Sequence, residues 1–326
     1  MTERTIHCRH LLTSQGWADD IVLGIDANGR IASMDTGKAS GSDASLAGPV
    51  IPGMPNLHSH GFQRMIAGLT GQRSDSGDSF WGWREAMYRL ANRITASQIE
   101  DCMRWVFSEM LAAGFTSCAE FHYLHHRPDG SAYEDIAETS LRVLAAADAV
   151  GMPITLLPVY YHVSGFGQKK AGEGQRRFIN NPEAFMDIYE SAGQAVRGTN
   201  NQRIGIAPHS LRAVPAGHLD SLLNGLGNQL VPIHIHVAEQ KGEVDECVEF
   251  YGARPVEWLL DRAEVNGNWT LVHATHMSSD ERLAAARTGA VAGLCPTTEA
   301  DLGDGFFEAD QWLKAGGVFG IGSDSN

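Results

Sequence analysis

Two pairs of histidines are each separated by a single residue. His58 and His60 follow one apolar run, and His234 and His236 lie in another. In a β-strand, residues i and i+2 point to the same face, so each pair would converge on one point. Histidine is a common ligand of catalytic zinc, which keeps one position open for water. A single pair is a weak signal, because two loop histidines can have the same spacing.

Further polar residues follow other apolar runs. Glu239 lies three residues beyond His236, His273 and His276 end a later run, and Asp324 ends a glycine-rich one. Alone, Asp324 could be an ordinary turn or helix-capping aspartate. Histidines on three predicted strands with an aspartate on a fourth are hard to obtain by chance. The combination therefore predicts a metal site.

The elements that must position these residues alternate from residue 49 onward. Buried strands are predicted at 49–56, 116–121, 154–160, 203–207, 231–238, 270–273, 290–295 and 318–322. Amphipathic helices are predicted at 79–93, 96–113, 133–150, 182–195, 215–226, 243–260, 279–287 and 306–314. This α/β alternation favours a (β/α)8 TIM-like barrel, with its active site at the carboxyl ends of the strands. An open doubly wound sheet is the alternative, although no glycine-rich nucleotide-binding loop supports it.

The first 48 residues have a different pattern. Stretches 5–13, 20–26 and 31–34 predict strands, with a hairpin at Asn28-Gly29, and the Gly/Ser/Ala-rich segment 37–48 predicts a linker. We therefore expect part of a small β-sandwich-type domain at 1–48 and the barrel at 49–326. Residues 61–78 would form an insertion that covers the site. The eighth strand ends the chain, so we expect a fragment without the eighth helix and the C-terminal β segment.

Composition argues against several classes of protein. The chain has 25 basic and 39 acidic side chains, a net charge of −14, which disfavours a nucleic-acid partner. Few lysines, no signal peptide and no apolar run long enough to span a bilayer disfavour a membrane partner. The five cysteines are scattered and never form a C-x-x-C pair. We expect a reduced, cytoplasmic protein.

Four of the polar stretches resemble the metal and proton-transfer motifs of the amidohydrolase superfamily. They are Pro-Asn-Leu-His-Ser-His60, His236-Val-Ala-Glu239, Leu-Val-His273 and Gly-Ser-Asp324. The resemblance is to the deaminase branch, which implies one divalent metal ion bound by His58, His60, His236 and Asp324. The two-metal branch carries a carboxylated lysine on the fourth strand, and segment 203–209 has no lysine. This donor set suits Zn²⁺, with Fe²⁺ or Mn²⁺ also possible.

Longer stretches resemble the formimidoylglutamate deiminase family within that branch. They cover residues 58–64, 80–84, 120–125, 207–214 and 234–240. The resemblance implies hydrolysis of N-formimidoyl-L-glutamate to N-formyl-L-glutamate and ammonia, in histidine degradation, and suggests a homodimer. It also implies substrate contacts from Gln63, Arg84, Tyr123, His209 and Arg212. Arginine suits this small dicarboxylate, because its planar fork binds a carboxylate through two hydrogen bonds.

The predicted ligand set implies roles for the neighbouring groups. Asp324 would accept a proton from the attacking water, Glu239 would protonate the departing nitrogen, and His273 would polarise the reacting centre. We expect His234 to lie behind the ligands or in the core and His276 to cap or pack. The sequence assigns no role to the cluster His122, His125 and His126.

Two other functions stay open. Another deaminase of the branch could act on guanine, cytosine or an adenosine derivative, with Trp81, Trp83 and Tyr123 available for stacking on a ring. A catalytically inactive metal- or ligand-binding barrel is the second alternative. Glu239, His273 and Asp324 argue against it, because simple binding needs no proton-transfer groups.

Overall fold

The computed structural model describes residues 2–38, 41–68 and 79–325, with the backbone alone for residue 2 and residues 79–83. The chain divides into two compact units, Met1–Met54 and Pro55–Asn326. In the part of the chain so described, no helix is both long and apolar enough to cross a membrane.

The N-terminal unit contains a four-stranded sheet, with strand order β3-β2-β1-β4. Its strands are β1 (Thr2–Thr13), β2 (Gly16–Asp26), β3 (Ile31–Thr36) and β4 (Ala44–Val50). The first three pair antiparallel as a meander, and β4 pairs parallel to β1. Its small core contains Cys8, Leu11, Ile21 and Leu23.

The prediction of a linker at 37–48 is wrong for its second half, because residues 44–50 form β4. The Asp43 carboxylate accepts the backbone N–H of Thr5 at 2.6 Å, and the N–H of Asp43 donates to the Thr5 carbonyl oxygen. Backbone pairing with β1 thus orders a segment whose small side chains give no strand pattern.

The second unit is a closed barrel of parallel strands. They are β5 (Met54–Ser59), β6 (Phe115–His122), β7 (Ile154–Tyr160), β8 (Gln202–Ile204), β9 (Ala207–Pro208), β10 (Ile233–Val237), β11 (Trp269–His273), β12 (Val291–Leu294) and β13 (Val318–Ile321). Both β8 and β9 pair with β7, so together they make the fourth barrel strand. The strands form two hydrogen-bonded sheets, β5 to β9 and β10 to β13. The bridges Ile206–Ile233 and Ser59–Asp324 join these sheets and close the ring. The predicted (β/α)8 barrel is confirmed.

Two strand predictions need correction. The predicted strand 49–56 is divided, because β4 ends at Val50 and β5 begins at Met54; Pro52, which has no N–H, lies between them. The predicted strand 203–207 is interrupted at Gly205. A Cβ atom at Gly205 would lie 2.2 Å from the carbonyl oxygen of Pro232, so the neighbouring backbone comes too close for any side chain.

Helices surround the barrel. They are α1 (Ser79–Ala91), α2 (Ala96–Ala112), α3 (Glu138–Val150), α4 (Pro182–Val196), α5 (Ala216–Leu226), α6 (Lys241–Tyr251), α7 (Pro255–Arg262), α8 (Ser279–Thr288), α9 (Pro296–Leu302) and α10 (Ala309–Lys314). Short 3-10 segments occupy Gly61–Ile66 and Glu173–Gln175. Thr95 and Ser278 form capping boxes at the starts of α2 and α8, as their sequences favour.

The predicted helix 243–260 is wrong as a single element. Gly252 ends α6 with φ +74°, and Pro255 starts α7 in its first turn. The structure also contains α9, which the sequence did not predict, directly after β12. A seven-residue helix is too short to show a helical period, although Pro296 at its first position is a typical start.

Candidate metal centre and active site

Four predicted ligands meet at the carboxyl ends of three strands. Donor atoms of His58, His60, His236 and Asp324 all lie within 4.8 Å of one another, and all four residues are buried. Nε2 of His58 is 3.1 Å from Nε2 of His60 and 3.1 Å from Nε2 of His236. The Asp324 carboxylate is 3.3 Å from Nε2 of both His58 and His60. Two atoms bound to one zinc ion at about 2.0–2.1 Å, with a tetrahedral angle between the bonds, are separated by roughly 3.3 Å. The observed separations therefore fit donor atoms that share one ion.

The opposite nitrogens fix the tautomers of two of these rings. His60 Nδ1 lies 3.0 Å from the carbonyl oxygen of Phe121, and His236 Nδ1 lies 3.1 Å from that of His209. Each Nδ1–H therefore donates, and each Nε2 lone pair faces the shared centre. Lone pairs that converge at 3.1 Å repel one another unless a cation lies between them.

The protonation states agree with metal binding. Burial lowers the pKa of His58, lowers that of His60 to about 3, and lowers that of His236 well below its ordinary value. Burial opposes ionisation of Asp324, but the hydrogen bond to His58 and the nearby histidines lower its pKa below the usual range. Neutral imidazoles with an ionised carboxylate are the forms that bind metals. This group could therefore bind a divalent metal ion.

His273 and Glu239 lie beside the four-residue group. Nε2 of His273 is 3.7 Å from a carboxylate oxygen of Glu239, and its ring stacks on that of His236 with centroids 5.4 Å apart. Burial opposes protonation, yet the carboxylates of Glu239, Glu299 and Asp324 raise the pKa of His273 to about 10. A protonated imidazole donates hydrogen bonds and does not ligate metal.

The turns after these strands are backbone-strained. Positive φ angles in non-glycine residues occur at Ala238 (+52°), His273 (+65°), Ala274 (+50°) and Asp324 (+54°). Such conformations persist only where the surroundings hold them. Asp324 is held by β5: its N–H donates to the His58 carbonyl oxygen, and its carbonyl oxygen accepts from the N–H of His60, both at 2.9 Å.

The predicted substrate residues surround the same centre. Gln63 donates to the Tyr123 hydroxyl at 2.5 Å, and the Tyr123 ring lies 5.3 Å from that of His60. The His209 ring lies 5.0 Å from that of His236. These three residues therefore adjoin the candidate ligands.

The two predicted arginines share neighbours. Burial raises the pKa of Tyr161 to about 12, and the charges of Arg212 and Arg84 oppose that rise. The same two charges oppose the effect of burial on the pKa of Tyr88, whose ring centroid lies 5.9 Å from Cζ of Arg84. The structure thus brings both guanidinium groups near Tyr161, whose ring is 4.8 Å from that of His209.

The remaining histidines lie outside the four-residue group. His276 hydrogen-bonds the Asp304 carbonyl oxygen at 2.7 Å, and His122 hydrogen-bonds the Thr139 hydroxyl at 3.1 Å. Backbone carbonyl oxygens accept from Nε2 of His125 and His126, at 2.8 and 2.9 Å. Burial lowers the pKa of His234 to about 3.

Part of the predicted covering insertion can be placed. Residues 61–66 form a 3-10 segment, whereas residues 69–78 lie outside the described residues. The side chains of Trp81 and Trp83, considered for stacking, also lie outside them.

Three buried glutamates near the centre were not identified from the sequence. Glu120 accepts the N–H of Gly61 at 2.8 Å, and burial raises its pKa to about 8. Glu243 accepts backbone N–H groups after β10, and Glu299 contacts His273. An acidic residue inside an apolar strand, as at Glu120, is a signal that could have been used. Glu243 and Glu299 lie on helices, where glutamate is common.

Comparisons with known proteins agree with this geometry. Residues 50–326 match the model described as Amidohydrolase family, and residues 3–46 match formimidoylglutamate deiminase HutF, N-terminal domain. Formimidoylglutamate deiminase of Pseudomonas aeruginosa is 46% identical over 321 residues, which cover 98% of this chain and 70% of the relative. A 5-methylthioadenosine/S-adenosylhomocysteine deaminase of Haloarcula marismortui is 25% identical, over 94% of this chain and 64% of the relative.

A solved structure is also similar over nearly the whole chain. The amidohydrolase from Brucella melitensis superposes with a TM-score of 0.94 at 50% identity, covering 99% of this chain and 71% of that one. The chain therefore spans about two thirds of the length of these relatives. It belongs to the amidohydrolase family and, within that family, to the formimidoylglutamate deiminase group.

Proposed function

We propose that this chain catalyses the hydrolytic deamination of N-formimidoyl-L-glutamate to N-formyl-L-glutamate and ammonia, a reaction of histidine degradation. One observation carries the proposal: a candidate metal centre lies beside two proton-transfer groups at one rim of the barrel. The residues are His58, His60, His236, Asp324, Glu239 and His273. The 46% identity to a protein named for this activity supports the choice of substrate.

We further propose Zn²⁺ as the ion, because imidazole and carboxylate are donors that zinc binds, and a further position on the ion would be left for water. Fe²⁺ and Mn²⁺ are the alternatives that the donor types permit. When bound, the ion would supply Lewis acidity that lowers the pKa of a water molecule.

The protein groups would move the protons. Asp324 is ionised and would accept a proton as water attacks the formimidoyl carbon. Glu239 is partly exposed at the rim, where its carboxylate would take up a proton from solvent and give it to the departing nitrogen, which leaves as ammonia; the proton on Asp324 would then be released. His273 is protonated and would donate Nε2–H to the oxygen that gains negative charge.

Substrate binding would depend on the two arginines. In this acidic protein, Arg84 and Arg212 concentrate positive charge near Tyr161, and Arg212 also acts on His209. A dicarboxylate would pair its two carboxylates with these guanidinium groups. Gln63 and Tyr123, linked to each other, would contact the formimidoyl end beside His60.

The test is ammonia release by the metal-loaded full chain. We expect turnover of N-formimidoyl-L-glutamate and none of guanine, cytosine or 5′-methylthioadenosine. Turnover of one of these heterocycles in its place would assign another deaminase activity. No turnover of any of them, with one equivalent of metal measured in the protein, would indicate a binding protein.

A further inference from the structure

Glu299 is a buried carboxylate that the proposed chemistry does not use. It lies in α9, the short helix after β12. Its Oε1 accepts the backbone N–H of Cys295 at 2.8 Å and lies 3.2 Å from Nδ1 of His273. A buried carboxylate with two such contacts is held in place, because losing either would leave a buried polar group unpaired.

These contacts select one state of the His273 ring. An ionised carboxylate can only accept, so Nδ1 of His273 must carry the proton of the 3.2 Å hydrogen bond. The other nitrogen, Nε2, then faces the Glu239 carboxylate, at 3.7 Å. A ring rotated by half a turn would lose the bond to Glu299 and direct a carbon atom towards the reacting centre.

The backbone does not impose this orientation on its own. His273 and Ala274 have φ angles of +65° and +50°, a region that residues with a Cβ atom rarely adopt. The N–H of Ala274 donates to the Val237 carbonyl oxygen of β10 at 3.1 Å, which holds the strained turn. The side chain is held from the other side by Glu299 of α9, the helix that follows β12. Strand β10 and helix α9 thus hold His273.

We propose that Glu299 is a positioning residue, which accepts the Nδ1–H of His273 and so keeps Nε2 of that ring directed at the reacting centre. This inference rests on the function proposed above. Glu299→Gln would keep an acceptor oxygen in place without the charge, and Glu299→Ala would remove both. In the Ser-His-Asp triad of hydrolases, the aspartate orients the histidine in the same way, by accepting its Nδ1–H.

The first test is a double-mutant cycle on ammonia release from N-formimidoyl-L-glutamate by the metal-loaded full chain. We expect Glu299→Ala to lower kcat by roughly 10–100-fold, the range seen when an orienting partner is lost, with little change in KM. Glu299→Gln should recover part of that loss. In a His273→Asn background, Glu299→Ala should have no further effect, because its target is gone.

A purely structural role gives a different result. Glu299→Ala would then lower kcat further in the His273→Asn background, and this outcome would overturn the proposal. Asp301→Asn is the matched control, because Asp301 is exposed on the same short helix. The kcat of Asp301→Asn should equal that of the wild type.

A second measurement needs no substrate. In protein labelled with ¹⁵N-histidine and loaded with Zn²⁺, we expect a protected Nδ1–H resonance, assigned to His273 by its loss in His273→Asn. Glu299→Ala should abolish it, and its persistence there would overturn the proposal. If the resonance behaves as expected but the wild type releases no ammonia, the proposed function fails and the positioning role stands.

Discussion

Glu239 lies three residues beyond His236 but outside the four-residue candidate metal group. Proton transfer and metal binding should therefore be separable. We expect Glu239→Gln to lower kcat by roughly 10²–10⁴-fold, the usual contribution of a positioned acid–base group, while metal content by elemental analysis stays at one equivalent. Glu249→Gln, an exposed change on α6, is the control. Near-normal turnover by Glu239→Gln would contradict the proton-transfer role.

Arg212 offers a test of carboxylate recognition at the same scale. We expect Arg212→Met to raise KM for N-formimidoyl-L-glutamate about tenfold or more, since a hydrogen bond to a charged group contributes about 1.5–3 kcal/mol. Two monocarboxylate analogues should be compared, each lacking one of the two carboxylates. For the analogue that lacks the carboxylate bound by Arg212, the wild type and Arg212→Met should have the same KM. Equal effects on both analogues would mean that Arg212 does not bind a carboxylate.

The sequence predicted these residues because their signals are local. The spacing of His58 and His60 is visible in three positions, and Glu239 follows His236 within one motif. The contact between Glu299 and His273 has no such signal, since it joins the end of β11 to helix α9. Only the barrel brings these two elements together.

At the scale of elements, α6 supports the turn that carries Glu239. The Glu243 carboxylate accepts the N–H of Ala238 at 3.0 Å and that of Glu239 at 3.1 Å. Glu243→Ala would leave these donors unpaired, so we expect a loss of about 1–3 kcal/mol in the free energy of unfolding, read as a lower Tm. Glu249→Ala, on the exposed side of α6, should leave Tm unchanged. Equal Tm values for both variants would show that Glu243 does not stabilise the turn.

The fourth barrel strand gives a second test at this scale. Gly205→Ala would place a methyl group 2.2 Å from the Pro232 carbonyl oxygen and 2.8 Å from a Leu157 methyl. We expect a loss of about 1–3 kcal/mol from this overpacking, measured as a lower Tm. Gly217→Ala in α5 is the matched control, because the added methyl group would meet no atom within 4 Å beyond its own stretch of helix; the Tm of this variant should be unchanged or slightly higher.

Sequence patterns located the barrel strands because buried parallel strands are apolar runs. They did not locate β4, whose order comes from pairing with β1, or the break at Gly205, which depends on the neighbouring Pro232. They also missed α9, the helix that carries Glu299. For β4 and the break at Gly205 a partner distant in the sequence determines the structure, and a local pattern does not contain that information; α9 is too short to show a helical period.

For the whole molecule, the candidate metal centre depends on closure of the barrel. His58 lies at the first strand and Asp324 just after the last, and the bridge between Ser59 and Asp324 joins these strands. Residues so far apart in the chain meet only in the folded protein. An ion that binds all four residues therefore binds the native state more tightly than the unfolded chain, and it should stabilise the closed barrel.

We therefore expect removal of metal by a chelator to lower Tm and Zn²⁺ to restore it. At a free concentration about 100 times Kd, binding to the native state alone contributes about 2.7 kcal/mol. His236→Ala should lose this increment, because it removes one of the four donors. His10→Gln, a change at a half-exposed histidine in β1, should keep the full shift. An equal Zn²⁺-dependent rise in Tm for His236→Ala and the wild type would place the stabilising ion elsewhere and would contradict the link between metal binding and barrel closure.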